Sequence, residues 1–281
     1  MHWPADSPLV ADPPLARWRE SVEQLVLEGE VVGLLRYLPG RRVAYRVRVG
    51  GADRVVKVFR SARASGNARR VAAIRATAAG DVVPQSLAVR GDGHVALAEY
   101  VHGSLLTQLK GAEFVAGCRA AGEALGRLHR SGAVLDRTRN LDDELTQLRA
   151  SRTPRTTATL DRVIDGAVCS DGHLVPSHRD CHPAQVVVGT QVWWIDLDDA
   201  AMAPPGLDVG NFLAHLDREE VLGQRSPAEA SAAGAAFLSG YGARPSDLGV
   251  WRRLTSARLA VLAETRQGRR DWTERLLERL A

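Results

Sequence analysis

Lysine is almost absent from this chain. Of 37 basic residues in 281, only Lys57 and Lys110 are lysines, and the rest are arginines. The bias towards arginine and alanine is that of a GC-rich genome, so a lysine kept inside an apolar strand stands out. Cysteine is scarce too: Cys118, Cys169 and Cys181 are odd in number and widely spaced. That excludes a disulfide framework and a Cys-type zinc site, and reduced thiols are expected. No apolar run approaches the roughly 18–20 residues that span a bilayer. Residues 1–16 hold four prolines and two aspartates, without the basic-then-apolar order of a signal peptide. The expected location is the cytoplasm. Internal repeats and low-complexity tracts are absent.

What remains is ordinary globular composition, with 45% hydrophobic and 25% charged residues. The net charge of +4 is uneven. Residues 1–101 carry 15 basic against 10 acidic side chains, and residues 102–281 carry 22 against 23. A modestly basic N-terminal part suits a polyanion such as a nucleoside triphosphate. It is too weak and dispersed to imply nucleic acid.

The spacing predicts a helix over 15–28, with Leu15, Trp18, Val22, Leu25 and Val26 on one face. Short valine-rich strands follow at 31–38, 43–49 and 54–59. Pro39-Gly40-Arg41-Arg42 separates the first two, and Gly50-Gly51-Ala52-Asp53 the second two, a hairpin signal. A polar and alanine-rich helix covers 61–79, and two more strands cover 82–89 and 94–100. This describes an antiparallel sheet carrying one helix. Beyond residue 101 strands nearly stop: helices are expected at 112–131, 141–150 and 156–168, and again over most of 208–281. The expected fold class is therefore α+β, with lobes 1–101 and 102–281.

The richest stretch is His178-Arg179-Asp180-Cys181-His182-Pro183-Ala184-Gln185, then Val186-Val187-Val188, a Gly189-Thr190 turn, and Trp193-Trp194-Ile195-Asp196-Leu197-Asp198. A polar loop, a short strand, a turn and a second strand make a hairpin that returns Asp196 to Asp180 and Gln185. Three oxygen-bearing side chains converging there suit Mg²⁺ with a nucleotide, where phosphate and water complete the shell. A second reading takes His178, Asp180 and His182, with His173 near, as a zinc or iron cluster on one face of a strand, the site of a metal-dependent hydrolase. Pro183 and the lack of a fourth ligand stand against it.

The loop resembles that of the aminoglycoside phosphotransferase and choline kinase group, His-x-Asp-x-x-x-x-Asn with a metal-binding Asp about eleven residues on. His178, Asp180 and Asp196 fall at those places, and Gln185 stands where Asn is usual. Pro205-Gly206-Leu207-Asp208-Val209-Gly210-Asn211-Phe212-Leu213 and Leu125-Gly126-Arg127-Leu128-His129 resemble two further stretches of that group, and the likeness spans about 31–240. It implies a bilobal protein-kinase-like fold and ATP-dependent transfer of the γ-phosphate to a small-molecule hydroxyl. Asp180 would orient and deprotonate the hydroxyl. Asp196, Gln185 and Asp198 would hold Mg²⁺. Asp208 and His178 would support the loop. Lys57, in Val55-Val56-Lys57-Val58-Phe59, resembles the strand lysine that grips the α- and β-phosphates. Gly40, Arg41 and Arg42 would meet phosphate. Glu99, Tyr100 and Val101 would form the hinge against the base.

Three departures accompany the likeness. Residue 185 is Gln, the helix after Lys57 has no acid to pair with it, and the Gly-x-Gly-x-x-Gly loop is missing. Together they keep open a pseudokinase, a nucleotide-binding module without catalysis. Asp208 follows Asp196 by only twelve positions, which leaves no room for the activation segment that seats a peptide, so a small-molecule acceptor is expected. Candidates are an aminoglycoside, a basic peptide antibiotic, another natural product, or a sugar or amino alcohol of metabolism, and the first two would make this an antibiotic-resistance enzyme. Asp142, Asp143, Glu144, Glu219 and Glu220 offer charge to a cationic acceptor. No protein, nucleic-acid or membrane partner is implied.

Overall fold

The computed structural model describes residues 6–27, 29–168 and 172–280. Cys169 lies outside them. They form two compact units, Met1–Ala76 with Val83–His102, and Thr77–Val82 with Gly103–Ala281.

The first unit opens with three short helices, α1 (Pro8–Ala11), α2 (Pro13–Ala16) and α3 (Arg19–Leu25). Strands β1 (Glu30–Leu38), β2 (Arg42–Val49) and β3 (Ala52–Phe59) follow, then helix α4 (Ala64–Arg75) and strands β4 (Ser86–Arg90) and β5 (Val95–Glu99). The sheet order is β1-β2-β3-β5-β4, antiparallel throughout. Gly50 and Gly51 form the two-residue β2–β3 loop with φ of +56° and +78°, the geometry that suits strand twist. Strand alternation then divides the faces. Val43, Tyr45, Val47, Val56, Val58, Val95 and Leu97 turn inward and pack with Leu9, Leu15, Val22 and Val26 of the N-terminal segment. Lys57 falls on the opposite parity, paired with Ala44 on one side and Ala96 on the other. Two alanines flanking its stem leave that face of the sheet low.

Two expectations are corrected here. The helix expected over 15–28 is broken at Arg17 and Trp18, where Trp18 leaves helical geometry and stacks on His94 with centroids 4.0 Å apart. The apolar stripe is real, since Leu15, Val22 and Val26 are buried, but the backbone carrying it is not continuous. The strand expected over 82–89 begins only at Ser86, because Gly80–Val82 forms a 3₁₀ turn and Pro84 has no N–H for a ladder.

The second unit contains β6 (Ser104–Leu105), α5 (Gly111–His129), α6 (Leu141–Ala150), α7 (Thr157–Asp165), β7 (Val175–Ser177), β8 (Val186–Val188), β9 (Val192–Trp194), β10 (Ala201–Ala203), α8 (Pro205–Val221), α9 (Pro227–Tyr241), α10 (Leu248–Gln267) and α11 (Arg270–Glu278). The antiparallel pairs are β6-β8-β9 and β7-β10. Helices α5 and α9 cross at van der Waals contact. A Cβ on Gly122 would lie 2.1 Å from the Phe237 carbonyl oxygen, and one on Gly240 would lie 2.0 Å from that of Arg119. Both positions therefore require glycine. Helices α6, α7 and α10 bury Leu148, Leu160, Trp251 and Ala257 together. Among the described residues no helix is long and apolar enough to cross a membrane.

Candidate active site

The loop between β7 and β8 is fixed by a carboxylate thirty residues downstream. Asp208, on the first turn of α8 and fully buried, accepts the backbone N–H of His178 at 2.6 Å through Oδ2 and that of Arg179 at 2.7 Å through Oδ1. His129, at the end of α5, donates its Nε2–H to the same Oδ2 at 3.1 Å, and its Nδ1 sits 2.9 Å from the Tyr241 hydroxyl of α9. Burial alone would push the Asp208 carboxyl up. The His129 hydrogen bond and charge, with the N–H of His178, overcome this and hold it below the usual range. The clamp also carries strain, since Arg179 has φ of +71°, a left-handed conformation that side chains disfavour.

The far end of the hairpin is tied to the same loop. His178 donates Nε2–H to the Ile195 carbonyl at 2.8 Å, and the Ile195 N–H bonds the Gln185 carbonyl at 2.9 Å. Asp196 follows at once, in a left-handed conformation with φ of +62°. Strand β9 ends at Trp194, so the second strand is shorter than the sequence suggests. Asp196 opens a 3₁₀ turn over Leu197–Asp199, in which Asp198 is only 6% exposed. The polar loop thus reaches the residue before Asp196 through both backbone groups of Ile195, its carbonyl held by the His178 ring and its N–H by the Gln185 carbonyl.

Asp180 is half-exposed in this frame. Its Oδ2 accepts Gln185 Nε2–H at 3.2 Å and faces His182 Nε2 at 3.5 Å. No described residue donates a hydrogen bond to Oδ1. A carboxylate only accepts, so the Gln185 amide must turn its nitrogen to Asp180 and its carbonyl oxygen away. Burial raises the Asp180 carboxyl, but His182 beside it, with the charges of His178 and Arg258, holds it far below the ordinary range. It is ionised at any physiological pH. The His182 ring stacks on His215 of α8, with centroids 4.5 Å apart and planes 18° apart.

The strand needed for a His-x-Asp-x-His metal cluster is not there. Residues 178–182 form a loop, His178 is buried and bonded to Ile195, and the half-buried His182 is stacked on His215. No group of three His, Cys, Asp or Glu among the described residues is placed to hold a metal. Most of the acids expected to receive a cation are engaged elsewhere. Asp143 caps α6 through Asn140. Glu144 accepts from Arg139 and Arg179. Glu219 pairs with Arg225 at 2.7 Å, and Glu220 with Arg279.

In the first unit the candidate phosphate turn is already occupied at one position. Gly40, with φ of +64°, donates its N–H to Asp12 Oδ2 at 2.7 Å, and Tyr37 donates its hydroxyl to the same oxygen at 2.9 Å. Arg41 is exposed, and Arg42 pairs in the ladder with Phe59. In the hinge segment, Glu99 accepts the Gln85 N–H at 3.1 Å, Tyr100 lies under the Arg46 guanidinium at 4.5 Å, and Val101 is half-buried. Asp12, Tyr241, His215 and Arg258 went unnoticed in the sequence. Each acts across a long chain separation and carries no local motif. A buried aspartate between two short Pro-started helices was the one available hint, at Asp12.

This sheet-bearing unit and helical unit, with the clamped loop and its hairpin, have the protein-kinase-like fold. The chain belongs to the phosphotransferase enzyme family (APH), whose model matches residues 34–255. Solved structures agree at the level of fold. Aminoglycoside-3'-phosphotransferase of type VIII is 22% identical with a TM-score of 0.66, covering 87% of this chain and 99% of its own. Choline kinase LicA from Streptococcus pneumoniae is 12% identical with a TM-score of 0.66, covering 94% and 96%. Amicoumacin kinase hAmiN, solved in complex with AMP-PNP, Ca²⁺ and Ami, is 12% identical with a TM-score of 0.68, covering 93% of each chain. No curated protein matches the chain.

Proposed function

We propose that this phosphotransferase moves the γ-phosphoryl group of ATP to a hydroxyl of a small molecule, with Asp180 as the group that takes the hydroxyl. The observation carrying this is the state of Asp180. Its carboxylate is ionised, its Oδ2 is held by Gln185 and His182, and its Oδ1 receives no hydrogen bond from the described residues. An incoming hydroxyl donates to Oδ1 and is thereby aimed. As its oxygen bonds to the γ-phosphorus and the bond to the leaving ADP oxygen breaks, the proton passes to the carboxylate and then to solvent.

Gln185 and Asp196, with Asp198 in the same turn, supply hard oxygen donors at the end of the hairpin, a set that fits Mg²⁺ shared with phosphates. The ion, when bound, offsets charge on the β- and γ-phosphates. Lys57 is assigned to the α- and β-phosphates, and Glu99, Tyr100 and Val101 to the base. The companion reading, a nucleotide-binding module without catalysis, draws on Gly40, whose N–H is spent on Asp12.

Asp180→Asn separates the two. It keeps the side-chain volume and one acceptor oxygen, so the fold and nucleotide affinity should persist. The kcat should fall roughly 10²–10⁴-fold. The check is ATP-dependent product formation over a panel of antibiotics and hydroxylated metabolites, with nucleotide affinity measured in parallel. Equal turnover by parent and variant removes Asp180 from the chemistry. No transfer by the parent to any acceptor favours the binding module.

A further inference from the structure

We propose that the acceptor carries an anionic group, a carboxylate or a phosphate, and that Arg258 receives it. This rests on the phosphotransferase reading above, since an acceptor hydroxyl must come within hydrogen-bond reach of Asp180. What surrounds Asp180 then lines the acceptor.

From Asp180 contacts lead through His182 to α8. His182 Nε2 lies 3.5 Å from Asp180 Oδ2, and its ring stacks on His215. On α8, Asn211, His215 and Arg218 recur at i, i+4 and i+7 and share one side of the helix. Arg258 reaches from α10 to that side and donates to Asn211 Oδ1 at 2.7 Å. It is close enough for its charge to lower both the Asp180 carboxyl and His215. His215 is half-buried, and desolvation with the nearby charges of His182 and Arg258 holds its imidazole well below the ordinary value, so it adds no charge of its own.

The charges on these two helices do not cancel at the site. Every described carboxylate on α8 and α10 is engaged. Asp208 clamps the loop, Asp217 takes Arg252 at 2.7 Å, Glu219 takes Arg225, Glu220 takes Arg279, and Glu264 takes Thr153 and Arg155. Arg258 and Arg218 are the reverse case. Both are half-buried, and neither is in an ion pair with a described residue. Arg258 has the neutral amide of Asn211, and Arg218 lies over the Trp272 ring at 5.7 Å. Arginine forks match carboxylate and phosphate oxygens, and a half-buried guanidinium without a carboxylate is poised to take one from a ligand. A cationic acceptor reaching past Asp180 towards Asn211 would meet the Arg258 guanidinium. Of the five acids that the sequence offered to a cation, only the exposed Asp142 has no partner among the described residues. The competing account makes Arg258 merely a counter-charge for Asp180.

Calorimetric titration of the full chain, saturated with AMP-PNP and Mg²⁺ so that small anions do not enter the triphosphate site, separates these accounts. The probes are gluconate and glycerate as hydroxylated carboxylates, glycerol 3-phosphate as a hydroxylated phosphate, and choline, kanamycin and glycerol as cationic and neutral controls. At least one anion should bind more tightly than every control, and whether it is a carboxylate or the phosphate identifies the group. Arg258→Gln, which keeps an amide donor for Asn211, should weaken that binding by about 10–100-fold, and Arg258→Lys by less than about tenfold. AMP-PNP affinity should stay unchanged in both. If Arg258→Gln fails to fold, the parent alone still decides: anion affinity must fall as KCl rises from about 0.05 to about 0.5 M. The proposal is overturned if no anion binds, if choline or kanamycin binds more tightly, or if Arg258→Gln leaves anion affinity as it was. Anion binding lost in Arg258→Gln, together with no phosphoryl transfer to any acceptor, would support the anion site and remove the phosphotransferase reading instead.

Discussion

Two buried carboxylates in this molecule do the same job with unequal support. Asp208 holds the 178–180 loop and Asp12 holds the β1–β2 turn, each by accepting backbone N–H groups. Asp208 takes two N–H groups and an imidazole, and that imidazole is placed by a tyrosine from a third helix. Asp12 takes one N–H from the turn and one phenol from the end of β1 beside it. The loop that carries Asp180 is thus over-determined from α5, α8 and α9, and it can hold Arg179 in a left-handed conformation. The turn is held at one point by a neighbouring segment. Under the proposed function, rigid support is concentrated where a reacting atom must be aimed, and it thins where a flexible phosphate chain would only have to be met.

The largest effect should come from breaking the stronger clamp. Asp208→Asn leaves one acceptor oxygen where two carboxylate oxygens took three donors, so buried N–H groups and His129 lose partners. We expect a loss of about 3–5 kcal/mol, seen as a fall of roughly 6–15 °C in the thermal midpoint, with turnover lost as the loop relaxes. The pH dependence follows from the same residue. Its carboxyl is lower in the fold than in the unfolded chain, where about 3.9 is usual. The stabilisation is therefore complete above that value and drains away as pH falls through the folded one. Between about pH 5 and 3 the parent should lose stability more steeply than Asp208→Asn. Parallel slopes in a thermal-shift series would mean that the clamp is not held by charge.

The same contrast explains what could be read from the sequence. Helix α5 was legible because its apolar residues recur at helical spacing over five turns. The hairpin after Gln185 was legible because two valine and tryptophan runs flank a glycine turn. The order of Lys57, Asp180 and Asp196 followed from local motifs of known spacing. The long-range brackets were not legible. Asn211 and Arg258 are 47 residues apart, and Asp12 and Gly40 are 28 apart, and neither pair has a pattern that announces the other. The break at Trp18 was invisible for another reason. Periodicity reports which side chains are buried, and Leu15, Val22 and Val26 remain buried whether or not the backbone between them is helical.

Gln185 sharpens the comparison at an intermediate size. Its amide does two things at once, donating to Asp180 and directing its oxygen away. Gln185→Asn keeps both groups on a shorter stem and should retain most turnover. Gln185→Leu removes both at similar volume and should lower activity about 10–100-fold. The apparent Mg²⁺ requirement should rise in step. Turnover of Gln185→Leu at the parental rate would take residue 185 out of the metal site.

The smallest effect should come from the weaker clamp, and its sign is informative. Asp12 fixes the turn, but it also places a carboxylate where an anion-binding N–H would otherwise be open. If its main role is to hold the turn, Asp12→Ala loses a partner worth about 1–2 kcal/mol, the turn loosens, and the KM for ATP rises a few-fold at nearly constant kcat. If instead it competes with phosphate, Asp12→Ala removes a negative charge and frees the Gly40 N–H, and KM falls. We expect the rise. Gly40 sits at positive φ next to an exposed Arg41, and Tyr37 shares the same carboxylate oxygen, so the turn loses two tethers together. Asp12→Asn separates charge from tether, because its amide oxygen still accepts from Gly40. It should behave like the parent if tethering dominates. Hydrogen exchange at residues 38–42 supplies a measure independent of turnover, and faster exchange in Asp12→Ala than in Asp12→Asn is the expected result. Equal exchange in all three chains would show that this carboxylate does not hold the turn.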